Sequence, residues 1–285
     1  MPLTFEALAA KNALREEDVA LGAALIARDV YATLDVETLL ARFDALAAPL
    51  KDRGLDRASA KDAAVAISRH VYETLGFRGN ESDYYDPRNS LLSDVLDRKT
   101  GIPISLALVY CEIARRASVR AEGVSFPGHF LVRVVGHGGD EVLVDPFYGG
   151  RVLDGAALEA LFDRVASQSS HPNASKEQAA RQIAEMTRSA SPRAFLSRWL
   201  MNLRSIHLSR GELPRAMLVV DRLVSLNPRD RNLLRDRGLL AERLGASAAA
   251  REDLARALAM DPSSETSGEL RAALARLDGK PTASN

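Results

Sequence analysis

The chain has 285 residues, of which 46% are hydrophobic, so it can form one large or two modest globular parts. Its 38 basic and 38 acidic side chains balance to a formal net charge of zero. No basic stripe or acidic tail indicates nucleic acid or a membrane as a partner, whereas zero net charge permits self-association. The N-terminus lacks a secretion-signal pattern and Cys111 is the only cysteine, which excludes an internal disulfide, so we expect a cytoplasmic protein.

The first 78 residues have the periodicity of amphipathic helices. The predicted helices occupy residues 16–31, 39–50 and 60–75, and a glycine follows the second and third. Residues 76–89 are dense in Gly, Asn, Asp and Pro, which predicts a loop. A short helix over 91–96 follows, and Pro103 suits the first turn of a longer helix that ends near Ala117.

Residues 119–153 are rich in Val, Phe and Leu, which favours strands. The segment 136–140, Gly-His-Gly-Gly-Asp, is a turn-former and predicts that strands 129–135 and 141–147 pair as a hairpin. A helix is predicted from Gly155 to Val165. The polar stretch 167–178 is the predicted linker.

The remaining residues, 179–285, are predicted to form a helical domain with an internal repeat. Five residue pairs recur 34 positions apart: Gly211 and Gly245, Ala216 and Ala250, Arg222 and Arg256, Asn227 and Asp261, Pro228 and Pro262. The period, the glycine between helices and the proline after them are typical of tetratricopeptide repeats, here near 195–228 and 229–262. Such repeats bind protein or peptide partners, so we expect a partner of that kind.

One histidine and one aspartate are spaced for a shared site. His129 follows a Pro-Gly turn at the start of one hairpin strand, and Asp145 lies sixteen residues later near the end of the next. A turn centred near residue 138 brings them close, so the carboxylate could hold the imidazole in one tautomer, as in a catalytic triad. The alternative is that His129 is a structural residue and Asp145 caps a turn.

The helix that begins near Pro103 would supply the nucleophile of such a triad. A catalytic thiol is best placed at a helix N-terminus, but Cys111 lies two turns further in, on an apolar stripe typical of a core face. Ser105 carries the only hydroxyl in the N-terminal turn of this helix, a position where serine is also common as a helix cap or as a residue without a chemical role.

Four motifs together resemble the SirB1 family, bacterial proteins with a transglutaminase-like domain and C-terminal tetratricopeptide repeats. The motifs are GFRGNESDYYDPRNSLLSDVL, GIPISLALVYCEIARR, EGVSFPGHFLVR and VDPFYGGRVL. The resemblance implies an α+β papain/transglutaminase-like domain over residues 1–166, helical over 1–78 and with its core over 79–166. The all-α repeats follow it.

The resemblance also implies where a site lies. His129 and Asp145 match two members of the enzymes' triad, while the slot of the Cys falls at about Ile104 or Ser105, so the essential thiol is missing. We expect no cofactor and no metal. The residues with an expected cleft or structural role are Asn89, Gly101, Pro103, Pro127, Gly128 and Pro146.

Two functional hypotheses follow from these residues. The first is a non-catalytic binding or regulatory module, with repeats that contact another protein. The second is a hydrolase or amidase with Ser105 as nucleophile, His129 as base and Asp145 as orienter. The hydroxyl of Ser105 distinguishes them, because a nucleophile must lie within reach of the His129 ring.

Overall fold

A computed structural model describes residues 3–166 and 185–279, so the predicted linker, 167–178, lies outside the described residues. The chain divides into two units, one of residues 13–199 and one that joins its two ends, 1–12 and 200–285. These limits differ from the predicted domains 1–166 and 179–285. The first twelve residues, with helix α1 (Phe5–Ala9), belong with the repeats.

The unit 13–199 begins with the predicted helices. Its helices in chain order are α2 (Glu16–Val30), α3 (Val36–Ala47), α4 (Ala60–Ser68), α5 (Leu92–Arg98), α6 (Pro103–Arg116) and α7 (Gly155–Ala166). Side-chain caps set where two of them begin, since Asp35 accepts hydrogen bonds from the first turn of α3 and Ser59 from that of α4. Helix α4 continues as a π-helical turn over Arg69–Thr74.

A four-stranded antiparallel sheet packs against α6. Its strands, in spatial and chain order, are β3 (Arg120–Val124), β4 (Leu131–Val135), β5 (Glu141–Asp145) and β6 (Arg151–Leu153). The predicted hairpin is β4–β5, in which Val132 lies opposite Val144. Residues 78–79 (β1) and 100–101 (β2), which we did not predict as strands, form a short parallel pair. The predicted α+β fold is confirmed.

Helix α8 (Pro192–Ser209) supplies the last residues of this unit. Trp199 is fully buried and its indole N–H donates to the carbonyl of Ser90 at 2.9 Å. A Cβ on Gly22 would lie 2.7 Å from the side chain of Leu196, so the glycine permits the close approach of α2 and α8. This packing explains why the unit extends to Trp199 and does not end before 167.

The unit formed by residues 1–12 and 200–285 contains the predicted repeat. Besides α1, its described helices are the second half of α8, α9 (Leu213–Leu226), α10 (Arg231–Arg243), α11 (Ser247–Met260) and α12 (Ser267–Asp278). Gly211 and Gly245 occupy equivalent turns with φ of 70° and 80°, in the left-handed region that favours glycine. Ala216 and Ala250 are fully buried where the paired helices approach each other.

Helix α1 packs on α9 within this same unit. Phe5 and Leu8 are 2% and 3% exposed. The guanidinium of Arg222 lies over the Phe5 ring at 5.4 Å from its centroid and forms an ion pair with Glu6. The N-terminal segment therefore completes the core of the repeats.

Candidate functional site

The turn before β4 positions His129. Its backbone N–H bonds to the carbonyl of Phe126 at 3.0 Å, and Gly128 has a φ of 68°, as the third residue of a type II turn requires. The hairpin then brings His129 opposite the end of β5, where Asp145 lies. The His129 Nε2 and the Asp145 Oδ1 are 2.9 Å apart, so the structure brings these two predicted residues together.

The Asp145 carboxylate is fully buried. Its Oδ1 also accepts the backbone N–H groups of Phe147 at 3.1 Å and Tyr148 at 3.3 Å, and its Oδ2 lies 3.7 Å from the Arg151 guanidinium. Burial acts to raise the pKa of Asp145, but the hydrogen bonds from His129 and from the backbone hold that pKa below its usual range. Because an ionised carboxylate only accepts, His129 Nε2 donates to it, and in the neutral imidazole Nδ1 is then an acceptor.

An open cleft of ≈ 450 Å³ lies beside His129. It is bordered mostly by apolar and aromatic side chains: Glu81, Tyr84, Pro103, Phe126, Pro127, Gly128, His129, Phe147, Tyr148 and Leu161. The His129 ring stacks near Tyr148 at 6.3 Å between centroids and meets the edge of Phe147 at 6.4 Å. The cleft therefore combines one polarised imidazole with a wall of rings, the usual composition of a ligand site.

The Ser105 hydroxyl is hydrogen-bonded to Ile102 and not to His129 or Asp145. Its side chain is fully buried, its Oγ donates to the carbonyl of Ile102 at 3.1 Å, and it accepts the Ile102 N–H at 3.0 Å. A Cβ on Gly101 would lie 2.5 Å from this oxygen, so the glycine makes room for it. The hydroxyl is thus used by the backbone as a helix cap.

Pro103, the first residue of α6, borders the cleft, and it precedes by one and two residues the positions Ile104 and Ser105, where the resemblance placed the nucleophile. Proline carries no nucleophilic group and no backbone N–H. The neighbouring Ile104 is buried at 1% exposure and does not border the cleft. Among the described residues that border the cleft, no serine, threonine or cysteine stands beside His129.

The remaining cleft and structural residues fix the loop that borders the cleft. Asn89 is fully buried and donates to the carbonyls of Asp83 at 2.8 Å and Tyr84 at 3.2 Å, while accepting from Asn80 at 3.0 Å. Pro127 and Gly128 line the cleft directly. Pro146 is buried in the turn after Asp145, where it fixes the backbone that presents the next two N–H groups.

Sequence reasoning missed the aromatic wall. Tyr84 borders the cleft, and it and the adjacent Tyr85 are 37% and 65% exposed. Phe147 and Tyr148 directly follow Asp145 and its proline, and Phe126 precedes the Pro-Gly turn, so their adjacency to the site motifs was the available signal.

Cys111 lies away from this cleft. It is partly exposed in a cavity of ≈ 160 Å³ that it shares with Glu16, Glu112 and Glu122. Burial, reinforced by these three carboxylates, raises the pKa of the thiol well above its usual value. The thiol is therefore protonated at neutral pH, the form that is a poor nucleophile.

Within the parts of the chain described, no group of three or more His, Cys, Asp or Glu side chains is placed to hold a metal ion. None of the described helices combines the length and the apolar character that a membrane span requires. The expectation of no cofactor stays a prediction.

The helix-on-sheet fold and the His–Asp pair define a transglutaminase-like protein. Residues 37–201 match the family model of the transglutaminase-like superfamily, and residues 203–275 match that of the tetratricopeptide repeat. The first match covers more than half of the 285 residues, so the chain belongs to the transglutaminase-like superfamily.

Within it, the chain belongs to the UPF0162 family. It is 38% identical over 259 residues to a UPF0162 protein of Xylella fastidiosa strain 9a5c, covering 90% of this chain and 89% of that protein. It is 35% identical to a UPF0162 protein of Pseudomonas aeruginosa, covering 74% and 73%. A match to F-box only protein 21 of Mus musculus is 48% identical but covers only 24% of this chain and 11% of that protein. No solved structure matches the chain significantly.

Proposed function

We propose that the transglutaminase-like unit is a non-catalytic module that binds an extended peptide in the cleft beside His129. The tetratricopeptide repeats contact a partner protein, and the whole chain acts as a regulatory adaptor in the cytoplasm. Repeats of this type generally mediate protein–protein interaction, which supports the second half of the proposal.

One observation carries the proposal: the only hydroxyl at the start of α6 is buried, does not border the cleft and is hydrogen-bonded to the backbone of Ile102. Ser105 Oγ makes two hydrogen bonds to Ile102 and is 0% exposed. To act as a nucleophile it would have to break both bonds and leave the buried Ile102 N–H without a partner. That rearrangement costs about 1–3 kcal/mol for the N–H alone. The Ser105 hydrolase is therefore the weaker hypothesis.

The His129–Asp145 pair has a role without a nucleophile. Asp145 holds Nε2 of the ring, so that in the neutral imidazole Nδ1 presents a lone pair, which accepts an N–H or O–H from a bound ligand. An acceptor held by a buried carboxylate is oriented before the ligand arrives, so less side-chain entropy is lost on binding. Such an arrangement suits recognition of peptide amide groups.

Selection from a random-sequence peptide display library tests the cleft. The full chain is the bait, and His129→Ala and Tyr148→Ala are the cleft variants. We expect peptides that bind wild type and lose binding to both variants, while Glu37→Gln, an exposed substitution on α3, keeps it. If no selected peptide depends on the cleft residues, the binding proposal is wrong.

A fluorophosphonate probe tests the hydrolase hypothesis. We expect no adduct on Ser105 of the folded chain by peptide mass spectrometry, because the hydroxyl is buried. An adduct that is lost in His129→Ala would establish a catalytic serine and replace our proposal.

The repeats are tested separately. Met201 and Met260 are 40% and 44% exposed, and methionine adapts well to partner surfaces. We expect Met201→Glu or Met260→Glu to weaken capture of a partner protein by the full chain, with His129→Ala retaining it. Equal capture by all variants would argue that the repeats only brace the chain.

A further inference from the structure

The mouth of the cleft carries exposed aromatic rings. Tyr84, Tyr85 and Tyr148 are 37%, 65% and 46% exposed. Their rings form a continuous series with Phe147, with centroids 5.3 Å apart for Tyr85–Tyr84, 6.0 Å for Tyr84–Phe147 and 5.1 Å for Phe147–Tyr148. A rigid aromatic surface of this kind is typical of sites where binding energy concentrates.

The hydroxyl groups of these tyrosines are available to a ligand. In the part of the chain that the structure describes, none of the three hydroxyls takes part in a hydrogen bond. Burial raises the pKa of Tyr84 against the opposing effect of nearby Arg198, so its hydroxyl stays protonated and able to donate. The three tyrosines therefore offer hydroxyl donors beside the apolar faces of their rings.

The cleft is bordered by an acidic side chain, that of Glu81. Glu81 is the only acidic or basic side chain, His129 apart, among the described residues that border the cleft. It forms no ion pair with another described residue, whereas Asp145 and Arg151 face each other at 3.7 Å. Glu81 is exposed, and Arg151, whose guanidinium lies over the Tyr148 ring at 5.5 Å from its centroid, pairs with Asp145 and not with Glu81. The Glu81 carboxylate is therefore open to a cationic group of a ligand.

We propose that this cleft binds a proline-rich peptide in the polyproline II conformation, with a lysine or arginine of the peptide placed on Glu81. Polyproline II has no internal hydrogen bonds, so its carbonyls can accept from the tyrosine hydroxyls, and its proline rings pack on aromatic faces. The chain of such a peptide is already extended, which lowers the entropy lost on binding. The inference rests on the proposed peptide-binding function and names its ligand class.

Fluorescence anisotropy with the full chain tests the inference. The probes are a labelled proline-rich peptide with one arginine, the same peptide with glutamate in place of arginine, and the same peptide with alanine in place of each proline. We expect the first to bind most tightly and the alanine peptide to bind least.

Conservative variants assign the contacts. Glu81→Gln should weaken the arginine peptide about two- to fivefold and leave the glutamate peptide no weaker, since a partly exposed ion pair contributes little. Tyr84→Phe keeps the ring and should weaken the arginine peptide about two- to tenfold through one lost hydrogen bond. Glu37→Gln is the matched control and should change nothing.

Equal binding of the proline and alanine peptides, or no effect of Glu81→Gln on the arginine peptide, would overturn the inference. The display selection separates this from failure of the proposed function. Cleft-dependent peptides without proline or basic residues would refute the proline-rich ligand alone, and the absence of any cleft-dependent peptide would refute both.

Discussion

Replacing Ser105 by alanine distinguishes a helix cap from a nucleophile. In the structure the Ser105 hydroxyl satisfies both the N–H and the carbonyl of Ile102, which is itself 1% exposed. Alanine leaves that buried N–H unpaired, which costs about 1–3 kcal/mol. For a unit of this size the loss corresponds to a melting temperature lower by roughly 2–12 °C. A catalytic serine free in a cleft would give little or no such loss.

The single tryptophan makes the assay direct. Trp199 is fully buried in the unit that contains Ser105, so its fluorescence reports urea unfolding of that unit. Ser90→Ala is the matched control, because Ser90 is equally buried but its Oγ has no hydrogen-bond partner among the described residues. We expect Ser90→Ala to cause no loss of unfolding free energy. Equal stability of wild type and Ser105→Ala would refute the capping role.

Three further predictions concern the rest of the chain. Asp145→Asn should be less stable than wild type at neutral pH, and the gap in unfolding free energy should narrow below about pH 4. The folded-state pKa of Asp145 is lowered, so its ionised carboxylate stabilises the fold above the unfolded-state pKa, and this stabilisation is lost as the pH falls through the folded-state pKa. Urea titrations of both proteins at several pH values measure the difference in unfolding free energy. Phe5→Ala should destabilise the repeats by about 3–5 kcal/mol in thermal unfolding followed by circular dichroism, because the ring is 2% exposed. Gly245→Ala should cost about 1–2 kcal/mol by the same measurement, since φ is +80°, whereas Gly268→Ala, in open space on α12, should not destabilise.

The fold and the His129–Asp145 contact were predictable from local patterns. Turn residues at 136–140 fix the register of β4 and β5, and register alone places residue 129 near residue 145. The tetratricopeptide repeat was equally predictable, because glycine recurs where the backbone has a positive φ and alanine recurs where the paired helices pack closely.

The direction of the Ser105 hydroxyl was not predictable. A cap and a nucleophile both occupy the first turn of a helix, and only the three-dimensional position of the His129 ring separates them. The packing of Phe5 on α9 could not be predicted from the sequence either. No local pattern in residues 1–12 indicates a contact with Arg222, which lies more than two hundred residues later in the chain.

That contact sets an order of events during synthesis. Residues 13–199 must all leave the ribosome before α9, the surface that receives Phe5 and Leu8, exists. At 5–20 residues per second the N-terminal segment waits about 10–40 s with its apolar side chains uncovered. The transglutaminase-like unit has that interval to fold, and the repeats pack afterwards against a segment that was made before them.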